Sequence, residues 1–248
     1  MSDALTVSAV QYQALDGGII PNAMEHVRLI EDAESHGSRL VIFPELSLTG
    51  YDLPLLEDQE NWLDPDDHRL GDIREICRRT GITAVAGAPY RESDGTPRLA
   101  SLAIHPEGST EISFKTHLHG QEKEIFVRGG GAALLELDGW RIALAICFDA
   151  AVPAHSTDAA QAGADVYAVS AVYTREEAHR LALHLGARAM DNRMFAILAN
   201  LGGTSMLGPS CGLSGFWGPD GLLMKKAAGT STEVVTAILQ RSALRKFR

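Results

Sequence analysis

Residues 140–149 read Trp-Arg-Ile-Ala-Leu-Ala-Ile-Cys-Phe-Asp, followed by Ala150-Ala151-Val152-Pro153. The run Arg141–Ile146 is short and apolar, which predicts a buried strand. Cys147 ends it. The carboxyl end of such a strand borders the crevice in which α/β sheets bind ligands. A free cysteine is more often a small buried hydrophobe, so the position admits two readings, packing or nucleophile.

The neighbouring segments extend the pattern. Ala133–Leu137 and the turn Asp138-Gly139 make Trp140–Cys147 the second arm of a hairpin. Asp165–Ala171 is a further apolar strand. Thr174-Arg175-Glu176-Glu177 is a Thr-x-x-Glu capping box. It opens a helix carrying Ala178, Leu181, Ala182, Leu185 and Ala189 on one face. Met194–Leu201, Gly215–Ala227 and Glu233–Leu239 read as late strands, the second broken by Gly218-Pro219-Asp220-Gly221. Toward the N-terminus, Leu5–Gln11 alternates with period two, and Asn22–His36 has helical periodicity stopped by Gly37. Leu40–Phe43 is a short buried strand. Asp64-Pro65 predicts an N-cap with proline at the first helical position. The helix that follows turns Ile73, Ile76 and Cys77 inward and stops at Gly81. Ile82–Ala86, Leu99–His105 and Thr110–Lys115 predict hairpins or a meander. No repeat or linker divides the chain, so residues 1–248 are expected to form one layered α/β (α+β) domain.

The 248 residues are 45% hydrophobic and 22% charged, ordinary globular proportions that need no disulfide or metal staple. Lysine and arginine total 22 against 32 acids, a net charge of −10. That argues against nucleic-acid binding and against a polybasic membrane patch. No apolar run is long enough to span a bilayer, and no secretory signal is seen. Cys77, Cys147 and Cys211 form no framework. A cytoplasmic location is the expectation.

Two further residues bear on chemistry. Glu45 follows the strand Val41-Ile42-Phe43, and a carboxylate among apolar residues has the raised pKa that suits a general base. An ordinary loop carboxylate is the competing reading. Lys115 ends Thr110–Phe114. It is either a solvated edge-strand lysine or, beside a buried carboxylate, an oxyanion-holding cation.

Together these segments resemble the nitrilase superfamily of carbon–nitrogen hydrolases, from Val7 to about Leu239. The carriers are Phe43-Pro44-Glu45-Leu46 with Gly50-Tyr51, Phe114-Lys115-Thr116-His117-Leu118, and Ala145-Ile146-Cys147-Phe148-Asp149. Ala187-Arg188-Ala189-Met190-Asp191-Asn192, Asn200 and Ser214 add support. The resemblance implies a four-layer αββα sandwich, with Glu45 as general base, Cys147 as nucleophile and Lys115 as oxyanion holder beside the Phe148 N–H. In this reading the ammonium also lowers the thiol pKa. Glu122, seven positions before Gly129, is assigned to orienting Lys115, with Glu124 as its rival. The implied chemistry is hydrolysis of a non-peptide C–N bond, in an amide, through a thioester. A nitrilase or an N-carbamoyl amidohydrolase is the alternative, as is a catalytically silent binding member of the fold. No cofactor or metal is implied. The expected partners are a small-molecule substrate and further copies of the chain, as a homodimer or larger even-numbered assembly.

The sequence departs from the family at Ala150 and Ala151, where carbamoylase-like members hold a substrate carboxylate with arginine. Arg175 is the candidate replacement, or else a solvated helix-start arginine. Tyr173 and Phe148 are expected to line the acyl pocket. Rival motifs fit poorly. Gly208-Pro209-Ser210-Cys211-Gly212 matches a serine-hydrolase elbow, but no helix pattern follows it. A pairing of Cys147 with His155, His179 or His184 needs proximity that spacing does not reveal. His117-x-His119 matches no zinc spacing.

Overall fold

The computed structural model describes residues 2–248. Its first sheet uses β1 (Ala4–Gln11), β2 (Leu40–Ile42), β3 (Thr83–Arg91), β4 (Pro97–Ile104), β5 (Thr110–Phe114) and the last strand, β14 (Glu233–Gln240). They lie in the order β14-β1-β2-β3-β4-β5. The second sheet uses β6 (Ala133–Leu137), β7 (Trp140–Ile146), β8 (Val166–Ala171), β9 (Phe195–Asn200), β12 (Gly215–Trp217) and β13 (Leu223–Lys226), in the order β13-β12-β9-β8-β7-β6. Each sheet has a parallel centre, β1-β2-β3 in one and β7-β8-β9 in the other, flanked by antiparallel strands. A small hairpin joins β10 (Thr204–Ser205) to β11 (Gly208–Pro209).

Side-chain alternation then builds the layers. Leu5, Val7 and Ala9 of β1 meet Trp140, Ile142 and Leu144 of β7 and Phe195 and Ile197 of β9 between the sheets. Opposite faces of the same strands meet helices. Val10, Ala84 and Ala86 pack with Ile30, Ile73 and Ile76 of α1 (Ile19–Ser35) and α2 (Gly71–Thr80). Tyr167, Val169 and Leu198 pack with Ala159 of α4 (Pro153–Gln161) and Leu181 and Leu185 of α5 (Ala178–Asn192). The order is helix, sheet, sheet, helix, the expected αββα sandwich. The remaining helices are α3 (Glu122–Ile125), beside the site, and α6 (Arg241–Phe247).

Four local expectations are corrected. The first helix begins at Ile19 rather than Asn22, because proline is tolerated in a first turn and Pro21 sits there. Asp64-Pro65 does not start the second helix. Asp66 adopts a left-handed φ of 61° that breaks the turn. Asp67 instead caps a short 3-10 turn, His68–Leu70, accepting from the Arg69 N–H at 2.9 Å, and α2 follows that turn from Gly71. Helix α4 was not expected, since its polar sequence buries only His155, Ser156 and Ala159. Helix α6 was also missed. It is fixed by tertiary contacts: Arg241 lies over the Trp140 ring at 4.3 Å and Arg248 pairs with Asp165 at 2.7 Å. The capping box at Thr174 forms as expected, with the Thr174 N–H donating to Glu177 Oε2 at 3.2 Å.

Candidate active site

Three chain segments converge at one end of the sandwich. The loop after β2 delivers Glu45. The end of β5 delivers Lys115. The tight turn Cys147–Ala151 after β7 delivers Cys147. Glu45, Lys115 and Glu122 are buried to within 1% of full burial. Lys115 Nζ donates to Glu45 Oε1 at 2.6 Å and to Glu122 Oε1 at 2.7 Å. Glu122, rather than Glu124, is thus the lysine's second partner. Its Oε1 also accepts from Tyr51 OH at 2.7 Å, and its Oε2 from the His119 N–H at 2.9 Å. Such a saturated carboxylate is a fixed strut. Gly129 explains how Lys115 is seated: the Gly129 N–H donates to the Lys115 carbonyl at 2.7 Å. A Cβ there would meet the Phe114 carbonyl oxygen at 2.4 Å, so only glycine permits the approach.

Cys147 holds a φ of 46°, left-handed and uncommon for a non-glycine residue. Such a conformation costs on the order of 1–3 kcal/mol and persists where its surroundings impose it. Those surroundings are specific. Asp149 Oδ2 accepts from the Ile146 N–H at 3.0 Å, and its Oδ1 from the His117 N–H and ring at 2.8 Å. Asp149 therefore ties the lysine segment to the cysteine turn. From the other side, Arg188 of α5 donates to the Ala150 and Ala151 carbonyls at 2.9 and 3.2 Å. Sequence reasoning quoted Asp149 and Arg188 within motifs without giving them this work. The links from Asp149 to His117 and from Arg188 to the cysteine turn span 32 to 38 residues, so no local pattern marks them.

Electrostatics set the resting protonation. Burial pushes the Glu45 carboxyl up to about 7; Lys115 pulls against this and the Glu122 charge adds to it. Burial and the Glu45 charge push the Cys147 thiol well above its ordinary value, with Lys115 opposing. The ammonium does pull the thiol pKa down, as expected, and burial with the Glu45 charge outweighs that pull. Burial alone would lower the Lys115 pKa, yet its anionic neighbours hold it above the usual range and charged. At rest the thiol leans on the Val172 carbonyl at 3.7 Å. Glu45 Oε2 is buried with no hydrogen-bond partner, leaving one carboxylate oxygen open to a proton.

A cavity of about 400 Å³ opens over these groups, walled by Lys115, Cys147, Phe148, Ala151, Tyr173 and Arg180 among others. Phe148 and Tyr173 line it as expected. Arg175 does not. It is exposed on the first turn of the capping box and absent from the wall, while Arg180, on α5, reaches it. Arg180 is beside Glu177 at 3.5 Å. The rival readings find no support in geometry. Ser210 Oγ donates to the Leu201 carbonyl, and no helix follows it. Among the described residues none of His155, His179 and His184 hydrogen-bonds Cys147; His155 pairs with Tyr167 OH at 2.9 Å. Among those residues no three His, Cys, Asp or Glu side chains gather as metal ligands, and no helix is long and apolar enough to cross a membrane.

Fold and site together place the chain among nitrilase-superfamily enzymes. The family model described as carbon-nitrogen hydrolase matches residues 6–248, and the chain belongs to that family. A nitrilase of Pyrococcus abyssi is 28% identical over 224 residues, 89% of this chain and 84% of the relative. An amidase from Nesterenkonia sp. AN1, solved with the product of Michael addition of acrylamide at its active-site cysteine, superposes with a TM-score of 0.86. It is 24% identical and covers 98% of this chain and 96% of its own. Saccharomyces cerevisiae Nit3 superposes with a TM-score of 0.91 at 19% identity, over 100% and 94% of the two chains. The last two likenesses speak to fold. The protein is a carbon–nitrogen hydrolase.

Proposed function

We propose that this enzyme is an amidase acting on a small, uncharged amide through a thioester on Cys147. The observation that carries the reading is the Lys115 ammonium, held between Glu45 and Glu122 at 2.6 and 2.7 Å beneath the cavity that Cys147 lines. Glu45 takes the thiol proton as Sγ attacks the amide carbon. The carbonyl oxygen becomes an oxyanion held by Lys115 and the Phe148 N–H. Glu45 returns the proton to the leaving nitrogen, the C–N bond breaks, and ammonia or an amine departs. Water then attacks the thioester, giving a proton to Glu45. The acid leaves and the thiol is re-formed.

The preference for a neutral substrate follows from charge. Lys115 commits two of its three ammonium donors to Glu45 and Glu122, and the oxyanion takes the third, so none is left for a substrate carboxylate. Ala150 and Ala151 bring no cation, and Arg180 stands by Glu177. A buried carboxylate without a partner costs several kcal/mol in effect. The amidase neighbour's acrylamide adduct is in keeping with such a substrate.

We infer also a single catalytic domain and a homodimer or larger even-numbered assembly. Leu183 and Met190, exposed on α5, support the assembly. The three unpaired cysteines fit a reducing cytoplasm. The test is ammonia release over a panel of amides, N-carbamoyl amino acids and nitriles, by wild type and Cys147→Ala. Neutral amides should give the highest kcat/KM and Cys147→Ala should give none. A preference for carbamoyl amino acids that disappears in Arg180→Ala would replace the neutral pocket with an anion-binding one. No turnover of any panel member by wild type would favour the silent binding member.

A further inference from the structure

The segment that carries Glu45 is held by a buried polar chain reaching back to helix α1. Leu46 has a φ of 50° in the left-handed region, so the loop around Glu45 is not a conformation it would adopt unaided. It is pressed onto β3 at Gly87, where a Cβ would lie 2.3 Å from the Pro44 carbonyl oxygen and 2.6 Å from the Leu46 nitrogen. The Leu48 N–H donates to the Gly87 carbonyl at 2.9 Å. The Gly87 N–H donates to Ser47 Oγ at 3.1 Å, and Ser47 Oγ lies 2.9 Å from His26 Nε2. His26 Nδ1 lies 2.7 Å from the Asn22 carbonyl, which can only accept. Nδ1 therefore carries the ring proton, and Nε2 is left to accept from the Ser47 hydroxyl. Every donor points one way, from Gly87 through Ser47 to His26 and the helix backbone. His26 and Ser47 are both fully buried. The His26 ring also stacks on Phe43, two residues before Glu45, at 3.9 Å.

We propose that His26 and Ser47 are positioning residues for the Glu45 base, holding its carboxylate at the Lys115 and Cys147 side chains. The inference rests on the assignment of Glu45 as base. The chain is neutral throughout, because burial pushes His26 down to about 3. Its order does not change over the working pH range. The groups facing Glu45 are Lys115 from the end of β5, Glu122 from α3 and Cys147 from the turn after β7, with the Tyr51 phenol of its own loop near enough to feel its charge. Misplacement of a reacting group by about 1 Å can cost ~10²-fold in rate. Losing the clamp should thus act on kcat and on the proton affinity of Glu45, with KM little changed.

The test separates the two contacts of His26. His26→Gln keeps an acceptor near the Nε2 position. His26→Asn keeps a donor to the Asn22 carbonyl but loses Ser47. Ser47→Ala removes the link itself. With activity compared only between preparations of matched circular dichroism and a single cooperative melting transition, a partly folded preparation does not mask the result. Ser47→Ala and His26→Asn should each lower kcat at least about tenfold, leave KM within about twofold, and shift the acid limb of kcat/KM. His26→Gln should stay near wild type. If Ser47→Ala and His26→Asn lower only Tm, with kcat and pH profile as in wild type, the residues are structural and the proposal fails. Glu45→Gln in the same series isolates the underlying assignment. If it stays active, the base is elsewhere. If it is inactive while the clamp variants are normal, only the positioning claim falls.

Discussion

Replacing Lys115 by alanine perturbs stability and catalysis together, and the structure fixes the sign of both. The ammonium is buried and donates to two buried carboxylates, at 2.6 Å to Glu45 and 2.7 Å to Glu122. Removing one partner of a buried ion pair costs about 3–5 kcal/mol, because the remaining charge is left uncompensated. Glu45, already pushed up to about 7, then loses the neighbour that pulls it down and rises further. A carboxyl raised in the folded state contributes its stability below the unfolded value of about 4.3 and loses it as pH rises through the folded one. The stability deficit of Lys115→Ala should therefore be small near pH 5 and widen toward pH 8. Urea melts of both proteins across that range read it directly. At pH 8 the oxyanion loses a donor as well, worth roughly 2.7–4 kcal/mol, or 10²–10³ in kcat. A deficit that does not change with pH, or a variant as stable as wild type at pH 8, would refute the buried three-group arrangement.

Three other outcomes follow from the same geometry. Wild-type kcat/KM should rise as pH increases through about 7, because Glu45 accepts a proton only once it has lost its own; a flat profile from pH 5.5 to 8 would contradict its role as base. One equivalent of iodoacetamide should modify Cys147 before the others, since the reagent is an amide that can occupy the cavity. Cys77 and Cys211 are not on the wall of that cavity, so first labelling of Cys211 on a peptide map would contradict the assignment. Asp149→Asn turns one of the two acceptor oxygens that clamp Ile146 and His117 into an NH2 donor, and should lower kcat by about 10–100-fold with KM little changed, by the same misplacement argument; unchanged kcat would show that the turn holds without it.

What the sequence displays well is what strand ends and short motifs encode. Glu45, Lys115 and Cys147 each follow a short predicted strand, two of them apolar runs, so the sequence places all three at strand ends. The αββα layer order is implied by the resemblance to the family rather than by the pattern of any one strand. Elements with weak local signals were missed. Helix α4 has few apolar residues, and α6 depends on Arg241 and Arg248 reaching Trp140 and Asp165. Asp64-Pro65 had the right chemistry for a cap, but the left-handed Asp66 moved the start to Asp67 and beyond. Arg175 and Arg180 look equivalent in sequence, and five residues of helical rotation decide which one reaches the cavity. The pull of Lys115 on the thiol is legible in the sequence, while the burial that outweighs it is not. His26, Ser47 and Asp149 each make one of their links across 21 to 40 residues, and one sequence does not display such pairings.

The central claim is the covalent bond between substrate and Cys147. A neutral amide that wild type hydrolyses, rapidly mixed with the enzyme and quenched in acid during turnover, should leave a protein heavier by the acyl group less one hydrogen. Peptide mapping should place that mass on the peptide containing Cys147, and Cys147→Ala should show neither the adduct nor ammonia release. An acyl group found on Ser210 or Cys211, or ammonia release by Cys147→Ala at the wild-type rate, would contradict the account.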